Sequence, residues 1–223
     1  MDRADVELES SLAATLTAAE RPARSARKAK GEGHARRGEI LQAAERLFVD
    51  CGYEGATIRK IADEVGVSST ALYMHFRDKS EILLEICEAG FAKLLALTEA
   101  IESEGHSPRE AVKKRLEAYV AFGFDNPNAS RLIYMTRPGE AGGAEVVAQR
   151  VGRSLFQRFR EPLETLAAQG KLRVEPELAA QMLWSGAHGV VSLIITKPYF
   201  GWAPREQLVC GVLEALLKDL IAE

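Results

Sequence analysis

Between residues 56 and 79 the side chains suit hydrogen bonding to DNA better than catalysis. Ser68, Ser69 and Thr70 open a short helical segment, followed by Tyr73, His75 and Lys79. Small hydroxyls there can donate to or accept from base edges and phosphates. Tyr73 and His75 can bond phosphates and set register, as position-fixing contacts do. Lys79 adds a charge that would meet the backbone. Thr57 can cap the preceding segment, and a helix N-terminus can itself face a phosphate. Tyr73 has a second possible role, as a packing residue with only its hydroxyl at the surface. Two short helices broken by Gly66 have the layout of a helix-turn-helix, which lays its second helix in the major groove.

Helices of matching period must hold this surface. A first helix is expected over residues 35–51, with Ile40, Ala44, Leu47 and Phe48 on one face and Gly52 as its stop. Thr57 caps the second helix, Gly66 ends it, and Ser68 caps the third. The three should pack on Ile40, Leu47, Phe48, Ile61, Ala62, Val65, Val67, Leu72 and Phe76. Asp78 and Glu81 form a capping-box-like start for a helix reaching about residue 102. Ser107-Pro108 opens another to about 125, and a shorter one covers roughly 128–136. Residues 137–143 read as a loop, and a long helix then runs to Gln169. Pro176 and Pro204 open the last two. No alternating strand is evident. The expected fold is all-α with about nine helices in three parts: an extension over 1–33, a DNA-binding unit over 34–82 and a helical body over 83–223.

Charge is unevenly placed. The whole chain of 223 residues has a formal charge of −3, so any DNA site must be a local patch. The first twenty residues hold Asp2, Asp5, Glu7, Glu9 and Glu20 against Arg3. Residues 21–37 hold Arg21, Arg24, Arg27, Lys28, Lys30, Arg36 and Arg37 against Glu32. This basic block is either a phosphate-attracting arm, with Arg36 and Arg37 nearest the reading head, or a solvated tail. Residues 6–19 could form a short amphipathic helix.

Other function classes find little support. Cys51, Cys87 and Cys210 are far apart and odd in number, which suggests thiols packed in helices in a reducing cytoplasm. His34, His75, His106 and His188 form no metal-ligand spacing, and no glycine loop for nucleotides is present. Ser25 and Lys28 fit a Ser-x-x-Lys pattern without the partner motifs of that enzyme class. No catalytic residue, metal or cofactor is expected. Residues 178–196 carry no formal charge and are long enough to consider as a membrane span. Gln181, Ser185, His188 and Ser192 interrupt them, so a largely buried helix is expected and no membrane partner.

The last two helices carry more apolar residues than one core needs: Leu183, Val190, Val191, Ile194, Leu208, Val212, Leu213, Leu216 and Leu217. Paired with a second copy they would form a four-helix bundle. A homodimer would present two reading helices to a palindromic operator. An ordinary core within one chain is the competing explanation. The middle of the body gathers Tyr119, Phe122, Phe124, Tyr134, Met135, Phe156, Phe159, Met182 and Trp184, material for an apolar pocket between helices. Trp184 and His188 lie one turn apart, the indole as a wall and the imidazole as a hydrogen-bonding group. The imidazole could equally be a satisfied core group.

The run Gly52-Tyr53-Glu54-Gly55-Ala56-Thr57, with Ile61-Ala62, Gly66-Val67-Ser68, Leu72-Tyr73, His75-Phe76 and Lys79, resembles the N-terminal domain of the bacterial TetR family of transcriptional regulators over about residues 35–82. Trp184…His188-Gly189 is similar to a Trp…His-Gly signature of one ligand-binding domain type in that family. Thr70 departs from the glycine, alanine or proline of many members, and the extension is longer than usual. The resemblance implies a DNA-binding homodimer whose body binds a small-molecule effector, and it favours a repressor released by that effector over an activator. It also puts Arg59 where some members contact guanine, although an exposed or phosphate-paired arginine would look the same in sequence. The helix from Lys79 would be the lever between head and body.

Overall fold

The computed structural model describes residues 33–134 and 144–222, in which nine α-helices carry nearly all of the chain. Residues 1–32, Met135 and the expected loop over 137–143 lie outside the described residues. The helices are α1 (Gly33–Gly55), α2 (Ile58–Val65), α3 (Ser69–Tyr73), α4 (Lys79–Ser103), α5 (Pro108–Asp125), α6 (Pro127–Tyr134), α7 (Ala144–Ala168), α8 (Pro176–Thr196) and α9 (Arg205–Leu220). Their starts follow capping chemistry. Ser68 Oγ accepts from the Ala71 N–H at 3.1 Å, and Asp78 Oδ1 from the Glu81 N–H at 2.9 Å. Ser107 Oγ faces the Glu110 N–H at 3.4 Å, with Pro108 in the first turn where no donor is needed. Within α1 the helical path breaks at Gly52, as expected of a stop there.

Two main cores divide the molecule. The head core joins Ile40, Phe48, Ile61, Leu72 and Phe76 to Ile82, Leu83, Ile86 and Cys87 of α4 and to Leu132 of α6. Burying each such large side chain contributes roughly 1.5–3 kcal/mol. The body core joins α5, α7, α8 and α9 through Val112, Leu116, Leu163, Leu183, Val191 and Leu217. The expected boundary at 82/83 therefore falls inside α4, whose first two turns belong to the head.

One smaller expectation needs correcting. All three cysteines are on helices, but Cys51 and Cys210 are exposed and Cys87 alone is buried. No strand forms among the described residues; Leu172 and Ile221 make an isolated antiparallel bridge, with the Arg173 N–H donating to Leu220 O and the Ala222 N–H to Lys171 O. α8 is long and apolar enough to cross a membrane; it packs on α5, α7 and α9 through one face, so it is less buried than expected.

Candidate nucleic-acid interface and ligand cavity

The turn between α2 and α3 is built by backbone chemistry. Gly66 is left-handed (φ 73°, ψ 31°); its N–H donates to Asp63 O, and the Val67 N–H donates to Ala62 O at 2.9 Å. This Schellman arrangement closes α2 where a side chain would be strained. Leu72 and Phe76 anchor α3 from below, so its other face is outward. Thr57, Arg59, Ser68, Thr70 and Tyr73 are exposed there, Arg59 at 87% and Tyr73 at 54%. Thr57 Oγ1 and Ser68 Oγ also serve as helix caps. Ser69 and His75 are half-buried. Lys60, Met74 and Arg77, absent from the sequence-based set, share the exposed surface.

Three cations among the expected DNA contacts bond groups of the protein itself. Arg36 Nη1 bonds Glu39 at 2.7 Å and reaches Val65 O at 3.4 Å. Arg37 donates to the His75 carbonyl, pairs with Glu85 and lies 4.0 Å over the Phe76 ring. Lys79 Nζ donates to Tyr53 O at 2.6 Å and sits 3.9 Å over the Tyr53 ring. The carbonyls of Tyr53, Val65 and His75 lie at element ends, where helices leave acceptors unpaired, and these cations satisfy them. Arg37→Met should therefore cost about 1.5–3 kcal/mol of stability, the range for hydrogen bonds to charged groups. The slope of log affinity for DNA against log salt should stay unchanged. A slope smaller by about 0.9, with stability intact, would return Arg37 to a phosphate.

In the body a cavity of about 670 Å³ opens between α4, α5, α6, α7 and α8. Tyr119, Tyr134, Phe156, Phe159 and Trp184 line it, as expected. The Tyr134 ring packs edge-on against Tyr119 at 5.6 Å and Trp184 at 6.3 Å, and Phe156 against Trp184 at 6.1 Å. Phe122 is not in this wall; it is buried with Leu94 and Ala129 and borders a separate shallow depression. His188 stands behind the wall. The Tyr119 hydroxyl and His188 Nδ1 share a hydrogen bond at 2.8 Å, whose direction follows the imidazole tautomer. Burial lowers the His188 pKa and raises those of Tyr119 and Tyr134, so the neutral forms make this network.

Sequence reasoning missed the rest of the wall. Leu83, Cys87, Phe91, Leu94 and Thr98 form one stripe of α4 along the cavity, and Arg115 enters from α5. The Cys87 thiol is pushed up to about 11 by burial, so it is an inert wall rather than a reactive thiolate. Arg115 is held below the ordinary guanidinium value by burial, an effect that Glu102 offsets.

The set expected to pair two chains divides. Leu183 and Val191 are wholly buried, and Val190 and Leu213 nearly so, within the protomer's own packing. α8 packs on α5, α7 and α9 of its own chain. Ile194, Leu208, Val212 and Leu216 are half-buried. The outward stripe of α8 carries exposed Leu178, Ser185 and Leu193, with half-buried Met182 and Gly189 between them and Met182 also packed against the body core. Gly186 lets Leu216 come close: a Cβ there would stand 2.4 Å from Leu216 Cδ1.

A capped helix-turn-helix with an outward third helix, carried on an all-α body, defines a DNA-binding transcription regulator. Residues 40–86 match the family described as bacterial regulatory proteins, tetR family, and residues 112–220 match the tetracyclin repressor-like C-terminal domain. With both its head and its body matched, the chain belongs to the TetR family. It is 31% identical over 125 residues to the HTH-type transcriptional activator FasR of Mycolicibacterium smegmatis, covering 54% of this chain and 57% of that protein. It is 42% identical over 59 residues to the HTH-type transcriptional repressor AcnR of Corynebacterium diphtheriae, covering 26% of this chain and 31% of that one. These matches span little more than half of the curated relatives or less. The structure of AibR in complex with isovaleryl coenzyme A and operator DNA superposes with a TM-score of 0.67 at 22% identity, covering 82% of this chain and 98% of that one, which is a likeness of fold.

Proposed function

We propose that the chain is a ligand-responsive repressor that binds a palindromic operator as a homodimer and leaves it when an apolar effector enters the cavity. The observation that carries this reading is a shared wall. Leu83, Cys87, Leu132 and Ile133 line the cavity and also pack in or against the head core. A molecule that spreads α4 from α6 must therefore tilt the head. A coupling of about 1–3 kcal/mol is typical for such a switch. Two heads joined through the outward stripe of α8 and the flank of α9 would address half-sites about one helical turn apart. AibR, of the same fold, has been seen in complex with isovaleryl coenzyme A and operator DNA. Anisotropy titrations with palindromes near the chain's own gene, against a random duplex, test the reading. Indifference to every palindrome at low salt would overturn it.

Within the head, Thr57, Ser68, Thr70 and Tyr73 bond phosphates and base edges, and Arg59 reads a base. Arg59→Ala should weaken operator binding by about 1–3 kcal/mol more than binding to the random duplex. Equal losses on the two duplexes would reduce Arg59 to a phosphate contact. Activation is the second reading, favoured by the likeness to FasR. Transcript levels of the neighbouring genes in a strain lacking the chain separate the two, since they rise for a repressor and fall for an activator.

A further inference from the structure

The effector reading leaves the ligand's chemistry open, and one buried group narrows it. Arg115 is only 8% exposed in its side chain. Its Nη1 donates to the Arg158 carbonyl and its Nη2 to Glu102 Oε1 at 3.1 Å, but its Nε is buried with no partner. Glu102 is already divided, because its Oε2 takes Arg158 Nη1 at 3.0 Å. Arg160, also on the cavity wall, is engaged by Glu164 and Glu177. Arg131 has the other unpaired buried Nε but does not line the cavity. A donor buried unpaired is costly, and one at a cavity wall can be relieved by what fills the cavity.

Along α4 the wall is apolar and elongated, while α7 and α8 add Gln149, Arg153, Gln157, Arg160 and Glu177 to the lining. From Leu83 to Thr98 the α4 stripe runs about 22 Å, at roughly 1.5 Å per residue, and Thr98 and Arg115 are the polar members beside its far end. Resting on the effector reading of this cavity, we infer that it takes a linear aliphatic carboxylate, with the head group at Arg115 and the tail laid along α4 toward Leu83. The occupant then joins the polar end of the body to residues that also build the head core.

Direct binding to the full-length chain, followed by Trp184 fluorescence with dodecanoate, 1-dodecanol and dodecyltrimethylammonium below micellar concentrations, tests this without DNA. Dodecanoate should bind at least about tenfold more tightly than the alcohol, with the ammonium weakest, as a charge-assisted bond predicts. Arg115→Gln, checked by circular dichroism, should bring the carboxylate to the level of the alcohol and leave the alcohol unchanged. Arg153→Gln on the exposed rim should preserve the preference. Equal binding of acid and alcohol to the native chain overturns the inference even if Arg115→Gln fails to fold. So do a preference that survives Arg115→Gln in a folded protein, a preference lost in Arg153→Gln, and no binding by any of the three. Operator release is a separate measurement. If dodecanoate binds by this rule and DNA stays bound, the ligand assignment stands and the release mechanism falls.

Discussion

Phe76→Ala should cost the head about 3–5 kcal/mol, the usual loss for a buried phenylalanine. That is a large part of the 5–15 kcal/mol that typically holds a domain together. Phe76 is 1% exposed, and its ring lies between the Ile40, Phe48, Ile61 and Leu72 packing and the Arg37 guanidinium. Truncation leaves a cavity under α3 and removes the surface on which Arg37 rests, so the bonds to the His75 carbonyl and Glu85 loosen with it. The body core shares no buried residue with this cluster. Hydrogen exchange should therefore lose protection over residues 35–86 while residues 108–125 and 176–220 keep theirs, and operator affinity should fall with the head. Uniform loss along the chain, or unchanged operator affinity, would show that Phe76 does not hold the reading surface.

The legible features of this fold are those whose physics is local. Gly66, Ser68, Asp78 and Ser107-Pro108 each act on backbone groups within a few residues, so helix ends could be placed from spacing alone. The head core was legible for the same reason, because helical period put Ile40, Phe48, Ile61 and Leu72 on inward faces. Arg37 and Lys79 were not. Their partners, the His75 and Tyr53 carbonyls, lie far along the chain, and only the packed fold shows that those acceptors need a donor. The cavity was half legible. Its aromatic wall stood out by composition, whereas Leu83, Cys87, Phe91 and Leu94 have the same period as a filled core. Arg115 follows Lys113 and Lys114, so its sequence neighbourhood resembles a solvated face.

The pairing surface gives the second large prediction, because α8 is apolar on nearly every side and period alone cannot tell inner from outer. Leu183→Ala should cost about 2–5 kcal/mol, since the side chain is wholly buried against the body. The unfolding midpoint should fall by the same amount at every protein concentration, because the loss belongs to each chain. Leu193→Arg should do the opposite. Leu193 is 47% exposed on the outward stripe, so a charge there costs the single chain little. Two such charges brought together without counter-ions would repel in an apolar interface. Light scattering should then show the mass of one chain at micromolar concentration, and operator binding should weaken because each molecule reaches one half-site. If Leu193→Arg stays dimeric while Leu183→Ala dissociates, the outward stripe is not the interface and the chains pair through another surface.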